Sequence, residues 1–358
     1  MRPLIFLRPM KRNNHLFEGK QRASYFTIAM SAKKTEARFY LRMEKSSFRT
    51  FENSLKKTDK IWMDGNLVPW ENATVHVMTH SLHYGSAIFE GIRCYKTDRG
   101  TMIFRLDEHL KRFYNSARIY RMSIPFAKDE VSSAIKRTIR ENNIEECYIR
   151  PLAFYGWDEV GVNPRGNQVH VAIALWPWLP YLGEEGLKNG VRVKISTWAR
   201  IDPRSMPMMA KAAANYANSI LARLEAETEG FHEAILLNGS GMVTEGTGEN
   251  LFLVTNGEIM TPPLSAGILP GITRESIIEL GRKLGYRVRE INLSRSELLL
   301  ADELFFTGTA AEVTPIREVD NQKIGNGVRG PITQKIQSKF FDIVRGRDPE
   351  FFRWLEPI

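Results

Sequence analysis

The chain has 358 residues, enough for two ordinary domains, and its 43% hydrophobic and 25% charged content lies in the globular range. No apolar run is long enough to span a bilayer, and two cysteines, Cys94 and Cys147, supply neither a disulfide framework nor a metal-ligand spacing. The net charge of +9 sits at the front: residues 1–60 hold 15 Lys/Arg against 5 Asp/Glu and the rest hold 35 against 36, which argues against a nucleic-acid-binding face on the body.

Residues 1–60 are basic, acid-poor and sparse in turn residues. Three readings stand open: a disordered extension or sequence translated from an early start, an organellar transit peptide, and a partner-binding arm. Met30, Met43 and Met63 are alternative starts. Order is expected from Ile61, where Ile61–Asn66 reads as a strand entering an Asp64-Gly65 hairpin turn. A strand is expected at Thr74–Met78. Helices follow at Asp107–Tyr120, where Leu110, Phe113 and Ala117 share a face, and at Lys128–Asn142. Buried strands are expected at Cys147–Tyr155 and Val169–Trp176. This mixture predicts a small α+β domain over residues 61–178. Residues 179–183, within the Pro- and Gly-bearing run 176–183, are taken as the interdomain connection.

The larger domain is then 184–358. Strands are predicted at Val191–Trp198, Glu233–Leu237, Leu251–Thr255, Glu258–Thr261 and Asp302–Thr307. One helix is expected to follow Lys211 and stop at Gly230. Thr273 reads as the N-cap of a helix over Arg274–Leu284, and Pro331–Phe341 as the closing helix. The fold class is α/β, with a mixed larger domain.

Lys211 lies in Lys-Ala-Ala-Ala-Asn-Tyr, behind Met206-Pro-Met-Met-Ala. A lone Lys in an Ala-rich stretch is ordinarily a solvated helix residue. Small and apolar flanks, however, would desolvate the amine, lower its pKa and free its lone pair for attack on an aldehyde. Tyr216, five residues on, could tune such a site. Glu245 lies in Thr-Glu-Gly-Thr-Gly-Glu-Asn, which reads as a polar loop between apolar strands. Alone it is a turn carboxylate, but its glycines would let a flat ring come close. Together an amine and a carboxylate are the two groups a pyridoxal-phosphate enzyme needs. Leu269-Pro-Gly271-Ile272-Thr273-Arg274 could offer anion-binding amides at a helix start, and Gly308-Thr309-Ala310 could hold a phosphate or a carboxylate. Arg112 alone reads as a surface charge, though its fork could cap a phosphate. His80 and His83 have no third metal ligand nearby, so no metal is expected.

Six segments, taken in order, resemble the branched-chain amino-acid aminotransferases of the fold-type IV pyridoxal-phosphate enzymes, in their bacterial biosynthetic form. They are His83–Tyr95, Tyr148–Leu152, Lys211–Tyr216, Thr244–Phe252, Leu269–Arg274 and Gly308–Pro315. The resemblance implies an interdomain site and pyridoxal 5′-phosphate as cofactor. Lys211 would form the Schiff base, Glu245 pair with the ring nitrogen and Tyr216 with the ring oxygen. Arg112, Gly271, the amides of Ile272 and Thr273, and Thr309 would hold the phosphate. Tyr148 and the amides of Thr309 and Ala310 would take the substrate α-carboxylate. Phe89, Tyr84 and Trp178 would form the apolar pocket, Tyr84 and Val162 coming from a neighbouring subunit, and Arg150 would meet the distal carboxylate of glutamate.

The same resemblance implies L-leucine, L-isoleucine, L-valine, glutamate and their 2-oxo acids as substrates, with no nucleic-acid or membrane partner. It also implies a homodimer or homohexamer and a cytoplasmic setting, or an organellar matrix if residues 1–60 are a transit peptide. D-Amino-acid transaminases, (R)-amine transaminases and aminodeoxychorismate lyase share the fold and are the alternatives. Ala213 and Ala214 stand where relatives often carry glycine. No Cys-x-x-Cys follows the Gly-Thr-Ala run, so a redox switch of that kind has no support here.

Overall fold

The computed structural model describes residues 56–177 and 182–358. The chain opens with the hairpin of β1 (Lys60–Met63) and β2 (Asn66–Pro69). Asp64 and Gly65 both take positive φ, 47° and 93°, as the tight turn read from the sequence requires. A short helix α1 (His80–Tyr84) leads into β3 (Ala87–Phe89), β4 (Ile92–Thr97) and β5 (Gly100–Phe104). Helices α2 (Leu106–Ile119) and α3 (Lys128–Glu141) follow, then the long hairpin of β6 (Cys147–Tyr155) and β7 (Val169–Trp176).

These strands form one antiparallel sheet, ordered β5-β4-β6-β7-β1-β2, with β3 on β6. Alternation along β6 assigns its two faces. Cys147, Ile149 and Ala153 enter a core with Ile92, Cys94, Val171, Ile173 and Leu175 under α2 and α3. Tyr148 and Arg150 therefore point the other way. The expected strand at Thr74–Met78 is absent: the segment is irregular and Val75 and Val77 are exposed. Their alternation mimics a half-buried strand, but no neighbouring strand pairs with them among the described residues.

After α4 (Gly183–Asn189) come β8 (Val191–Ile195), α5 (Asn215–Thr228), β9 (Glu233–Leu237), β10 (Val243–Gly246), β11 (Asn250–Thr255) and β12 (Glu258–Thr261). Helix α6 (Ile272–Lys283), β13 (Val288–Glu290), α7 (Arg295–Leu299), β14 (Glu303–Gly308), β15 (Glu312–Val319), β16 (Gln322–Lys323) and α8 (Pro331–Val344) complete the second sheet and its cover. Strands β10-β9-β8-β15-β14-β11 run in that order, and pairing of Glu245 with Asn250 joins β10 to β11 and closes them into a ring. Leu251, Leu253, Leu304, Phe306, Val191 and Val193 fill its interior. The alternate residues Phe252, Val254 and Phe305 face outward, under α6 and α8. The last strand, β17 (Leu355–Pro357), returns to pair with β5, and Tyr95 and Phe104 of the first sheet pack into the core beneath α6 and α8.

Three sequence boundaries move for physical reasons. Residues 211–214 are not helical; they lie against β3, where Phe89 N donates to Lys211 O at 3.0 Å and Ala213 N to Ala87 O at 2.9 Å. The helix therefore starts at Asn215. Gly271, not Thr273, caps α6, with Thr273 inside its first turn. Glu245 and Gly246 belong to strand β10, so the tight polar loop is shorter than the run read from the sequence.

Phe252 and Phe305 stack at 5.0 Å with parallel rings, both fully buried. Phe305→Ala is expected to cost about 3–5 kcal/mol, read as a lowered denaturant midpoint with an unchanged slope.

Candidate active site

A cleft of about 200 Å³ opens where the outward face of the first sheet meets the β10–β11 and β14–β15 ends of the second. Lys211 stands at its floor. Its neighbours Ala210 and Ala212 are buried in the first core, and its own N–H donates to Ser116 Oγ at 3.0 Å. The small flanking residues let the segment lie flat on β3 while the amine projects. Nζ donates to Tyr216 Oη at 2.5 Å and sits over the rings of Phe89 and Tyr216. Burial and then the Arg112 cation lower the amine to about pKa 8, with Glu90 opposing. Burial pushes the Tyr216 phenol up, so it stays protonated.

Glu245 is buried at the closing seam of the ring. Arg200 Nη2 meets its Oε1 at 2.6 Å. Asn250 Nδ2 and Leu269 N donate to its Oε2 at 3.0 and 3.1 Å. Burial raises the carboxyl, and Arg200 is the strongest group pulling it back. Gly271 is required here: a Cβ would meet Asn250 Oδ1 at 1.9 Å. It caps α6, whose first-turn N–H groups of Ile272 and Thr273 have no helical acceptor and face the cleft.

Arg112 is buried, not a surface charge. Its Nε and Nη2 donate to Glu90 at 2.7 and 2.9 Å, and its Nη1 to Pro270 O at 2.8 Å. His109 Nδ1 lies 2.8 Å from the same carboxylate. The Arg112 guanidinium, and then the His109 hydrogen bond, hold the Glu90 carboxyl well below its usual range despite complete burial. His109, Arg112 and Ser116 share one stripe of α2, at spacings of three and four.

On the opposite wall, the Arg150 guanidinium lies over the rings of Phe89, Tyr148 and Trp176 at 4.7, 5.4 and 5.4 Å. Gly91 admits the Tyr148 hydroxyl, since a Cβ there would meet Oη at 1.9 Å. Thr309 and Ala310 close the rim. The structure thus gathers Lys211, Tyr216, Glu245, Arg112, Gly271, Ile272, Thr273, Thr309, Ala310, Phe89, Tyr148 and Arg150. It leaves Tyr84 and Val162 outside the cleft, exposed by 45% and 80%. Trp178 falls outside the described residues. His80 and His83 serve local hydrogen bonds, to Ser86, Gly161 and Val77.

Sequence reasoning missed Arg200, Glu90, Asn250, His109 and Ser116. The spacing of polar residues 109, 112 and 116 between the apolar positions 106, 110, 113 and 117 was a readable signal. For Arg200 there was none, because only the closed ring brings it to Glu245.

Residues 87–319 match the Amino-transferase class IV family. The chain is 47% identical over 304 residues to a branched-chain-amino-acid aminotransferase of Salmonella typhimurium, covering 85% of this chain and 98% of that one. It superposes on the crystal structure of the Escherichia coli branched-chain amino acid aminotransferase with a TM-score of 0.83 at 47% identity, covering 84% and 99% of the two chains. It superposes on the branched-chain aminotransferase of the archaeon Thermoproteus uzoniensis, solved with norvaline, at 0.80 and 44% identity, covering 84% and 99%. The chain belongs to the class IV aminotransferases, which are pyridoxal-phosphate-dependent enzymes.

The residues present fit that cofactor. A desolvated amine, a buried carboxylate with a cationic partner, a glycine-capped helix start and an anchored arginine surround two adjoining cavities that share Lys211, Tyr216 and Asn250. Because the amine titrates near 8, its neutral form grows as pH rises through that value. Uptake of pyridoxal phosphate by the apoprotein, followed by absorbance, is therefore expected to accelerate from about pH 7 and level off by about pH 9. A rate still climbing beyond about pH 10 would mark an ordinary lysine.

Proposed function

We propose that this chain moves the amino group between L-leucine, L-isoleucine or L-valine and 2-oxoglutarate. The observation that carries the reading is the Lys211 amine, half-buried against Tyr216 and Phe89, in a cleft that also holds the Arg150 cation among three rings. When bound, pyridoxal phosphate supplies the aldehyde that takes up the amino group and a ring that spreads the charge left by the departing proton.

The chain's own residues do the rest. Lys211 Nζ, neutral near its lowered pKa, accepts the proton from the substrate α-carbon and later returns one. Tyr216 fixes the amine's position. Glu245, whose burial is opposed by the Arg200 cation, would face the ring nitrogen. Arg112 and the amides of Ile272 and Thr273 would hold the phosphate. The guanidinium keeps N–H groups free beyond the three committed to Glu90 and Pro270. Tyr148 with the Thr309 and Ala310 amides would take the α-carboxylate, which both partners of the exchange share.

Phe89, with the ring faces around it, suits an aliphatic side chain. Arg150 suits the second carboxylate of glutamate and 2-oxoglutarate, laid over the same rings. Similar branched-chain amino acid aminotransferases have been crystallised with N-(5′-phosphopyridoxyl)-L-glutamate and with 4-methylvaleric acid, a pair of ligands that spans this charged and apolar range.

The reading includes a homodimer at least. Tyr84 and Val162 lie beside exposed Val77, Leu82 and Val160, and this apolar surface suits a second copy whose residues would complete the neighbouring pocket. It also includes a division into residues 61–178 and 184–358, supported by the two sheets, with β17 crossing back. A cytoplasmic setting accords with two buried free thiols.

Purified protein given pyridoxal phosphate is expected to transaminate L-leucine with 2-oxoglutarate far faster than it uses D-alanine or aminodeoxychorismate. Lys211→Ala should lose this activity by many orders of magnitude. Arg150→Gln should raise KM for 2-oxoglutarate by about tenfold or more while moving that for leucine much less. Preference for D-alanine, or equal effects of Arg150→Gln on both substrates, would overturn the substrate assignment.

A further inference from the structure

The connection from β14 to β15 is short: Gly308 pairs with Glu312 across Thr309, Ala310 and Ala311. Glu312 ends it at φ +53°, in the left-handed region. A hairpin position of this kind ordinarily takes Gly or Asn, which bear that conformation without strain. Eight non-glycine residues have positive φ among the described residues, and five of them are Asn or Asp. A glutamate there needs a reason.

Its side chain supplies one. Glu312 is buried, and its Oε1 accepts from Arg93 Nη1 at 2.9 Å and from Tyr95 Oη at 3.1 Å. Both donors stand on β4 of the first sheet. Arg93 is in turn held over the Tyr95 ring at 4.7 Å and tied to Glu146, which Arg345 grips at 2.7 and 3.1 Å. Arg93 also sits directly opposite Tyr148 in the β4–β6 register, so the two share a face of the sheet. One ion pair therefore joins the strand beside Tyr148 to the hairpin that carries Thr309 and Ala310.

We propose that Glu312 is a positioning residue: through Arg93 and Tyr95 it holds the 309–311 hairpin at a fixed place opposite Tyr148, so that the hairpin amides and the Tyr148 hydroxyl grip one carboxylate between two sheets. The left-handed backbone is the cost of aiming a long acid from the hairpin at the other sheet. This inference rests on the reading of Tyr148, Thr309 and Ala310 as the α-carboxylate site.

The test uses holoenzyme of Glu312→Gln, Glu312→Gly, Arg93→Met and the double variant Glu312→Gln/Arg93→Met. The expected result is a rise of about tenfold in KM for both L-leucine and 2-oxoglutarate, with kcat within about threefold, because both substrates bring the same α-carboxylate. The inhibition constant of 4-methylvalerate, a carboxylate without an amine, should rise in parallel. Arg93→Lys should restore part of the loss, and the double variant should be no worse than the worse single one.

Glu312→Gly removes the backbone strain along with the contact. Loss of substrate grip in that variant supports the proposal, and wild-type behaviour overturns it. A purely structural role predicts a lower Tm and a smaller active fraction with unchanged KM, and that result also overturns it. Should Glu312→Gln fail to fold, Glu312→Gly and Arg93→Met decide the matter on the same readouts. The 4-methylvalerate arm reads the carboxylate site without turnover. A wild-type enzyme that binds 4-methylvalerate but does not transaminate leucine would count against the substrate reading alone, while undiminished binding in the variants would count against this one alone.

Discussion

An amine attacks an aldehyde only after losing its proton, and the whole cleft is arranged around a lysine that loses it early. Desolvation is the chief cause at Lys211, with Arg112 adding to it and Glu90 subtracting. Because Arg112 and Glu90 are bound to each other, their fields at Nζ largely oppose. What remains is the effect of excluding water, which the flanking Ala210 and Ala212, the Phe89 ring and the Tyr216 ring impose. The same exclusion makes every unpaired charge nearby expensive, so a buried acid here either takes a cation or, like Glu249, is pushed up to about 8 by burial and by Glu233. Glu90 has Arg112, Glu245 has Arg200, and Glu312 has Arg93.

Those pairs also explain why the site lies between the sheets. Arg112 belongs to α2 over the first sheet but donates to Pro270 O just before α6. Arg105, at the start of α2, reaches Ser276 Oγ at 3.0 Å and Glu275 at 3.1 Å in the first two turns of α6. The Lys211 segment leaves the second sheet's connections to lie on β3. The interactions that join the two sheets are thus the ones that shape the start of α6 and the place of the Lys211 amine. Positions fixed by several buried contacts suit catalysis by a preorganised field, since little reorganisation is left for the reacting complex to drive.

Much of this was legible in the order of residues, and the illegible parts share a cause. Lys211, Tyr216 and Glu245 announce themselves by local context: small neighbours around an amine, glycines around an acid. Strand β6 and helices α2 and α3 were readable from periodicity, nearly to the residue. The spacing of Arg112 on α2 hinted at burial, but not its partner, because Glu90 lies 22 positions away on the turn between β3 and β4. Arg200 and Glu245 are brought together only by closure of the six-strand ring, which rests on the pairing of Glu245 with Asn250. The missing strand at Thr74–Met78 shows the converse: Val75 and Val77 alternate as a strand would, but both are exposed and no strand pairs with them among the described residues, and alternation alone cannot distinguish the two.

Burial and the partners of Glu245 pull its carboxyl in opposite directions. Burial alone would favour the neutral acid, and a neutral acid could not hold a pyridine nitrogen in its cationic form. A carboxylate offers about four lone-pair positions. Arg200 occupies one on Oε1, and Asn250 and Leu269 occupy two on Oε2. That leaves one acceptor position, on the oxygen that already carries the cation. A single N–H donor from a ring in the cleft would complete the set, and protonating the carboxyl instead would break the pairing with Arg200 in a buried place. Arg200 thus opposes the effect of burial, and the hydrogen bonds of its companions leave one acceptor position open.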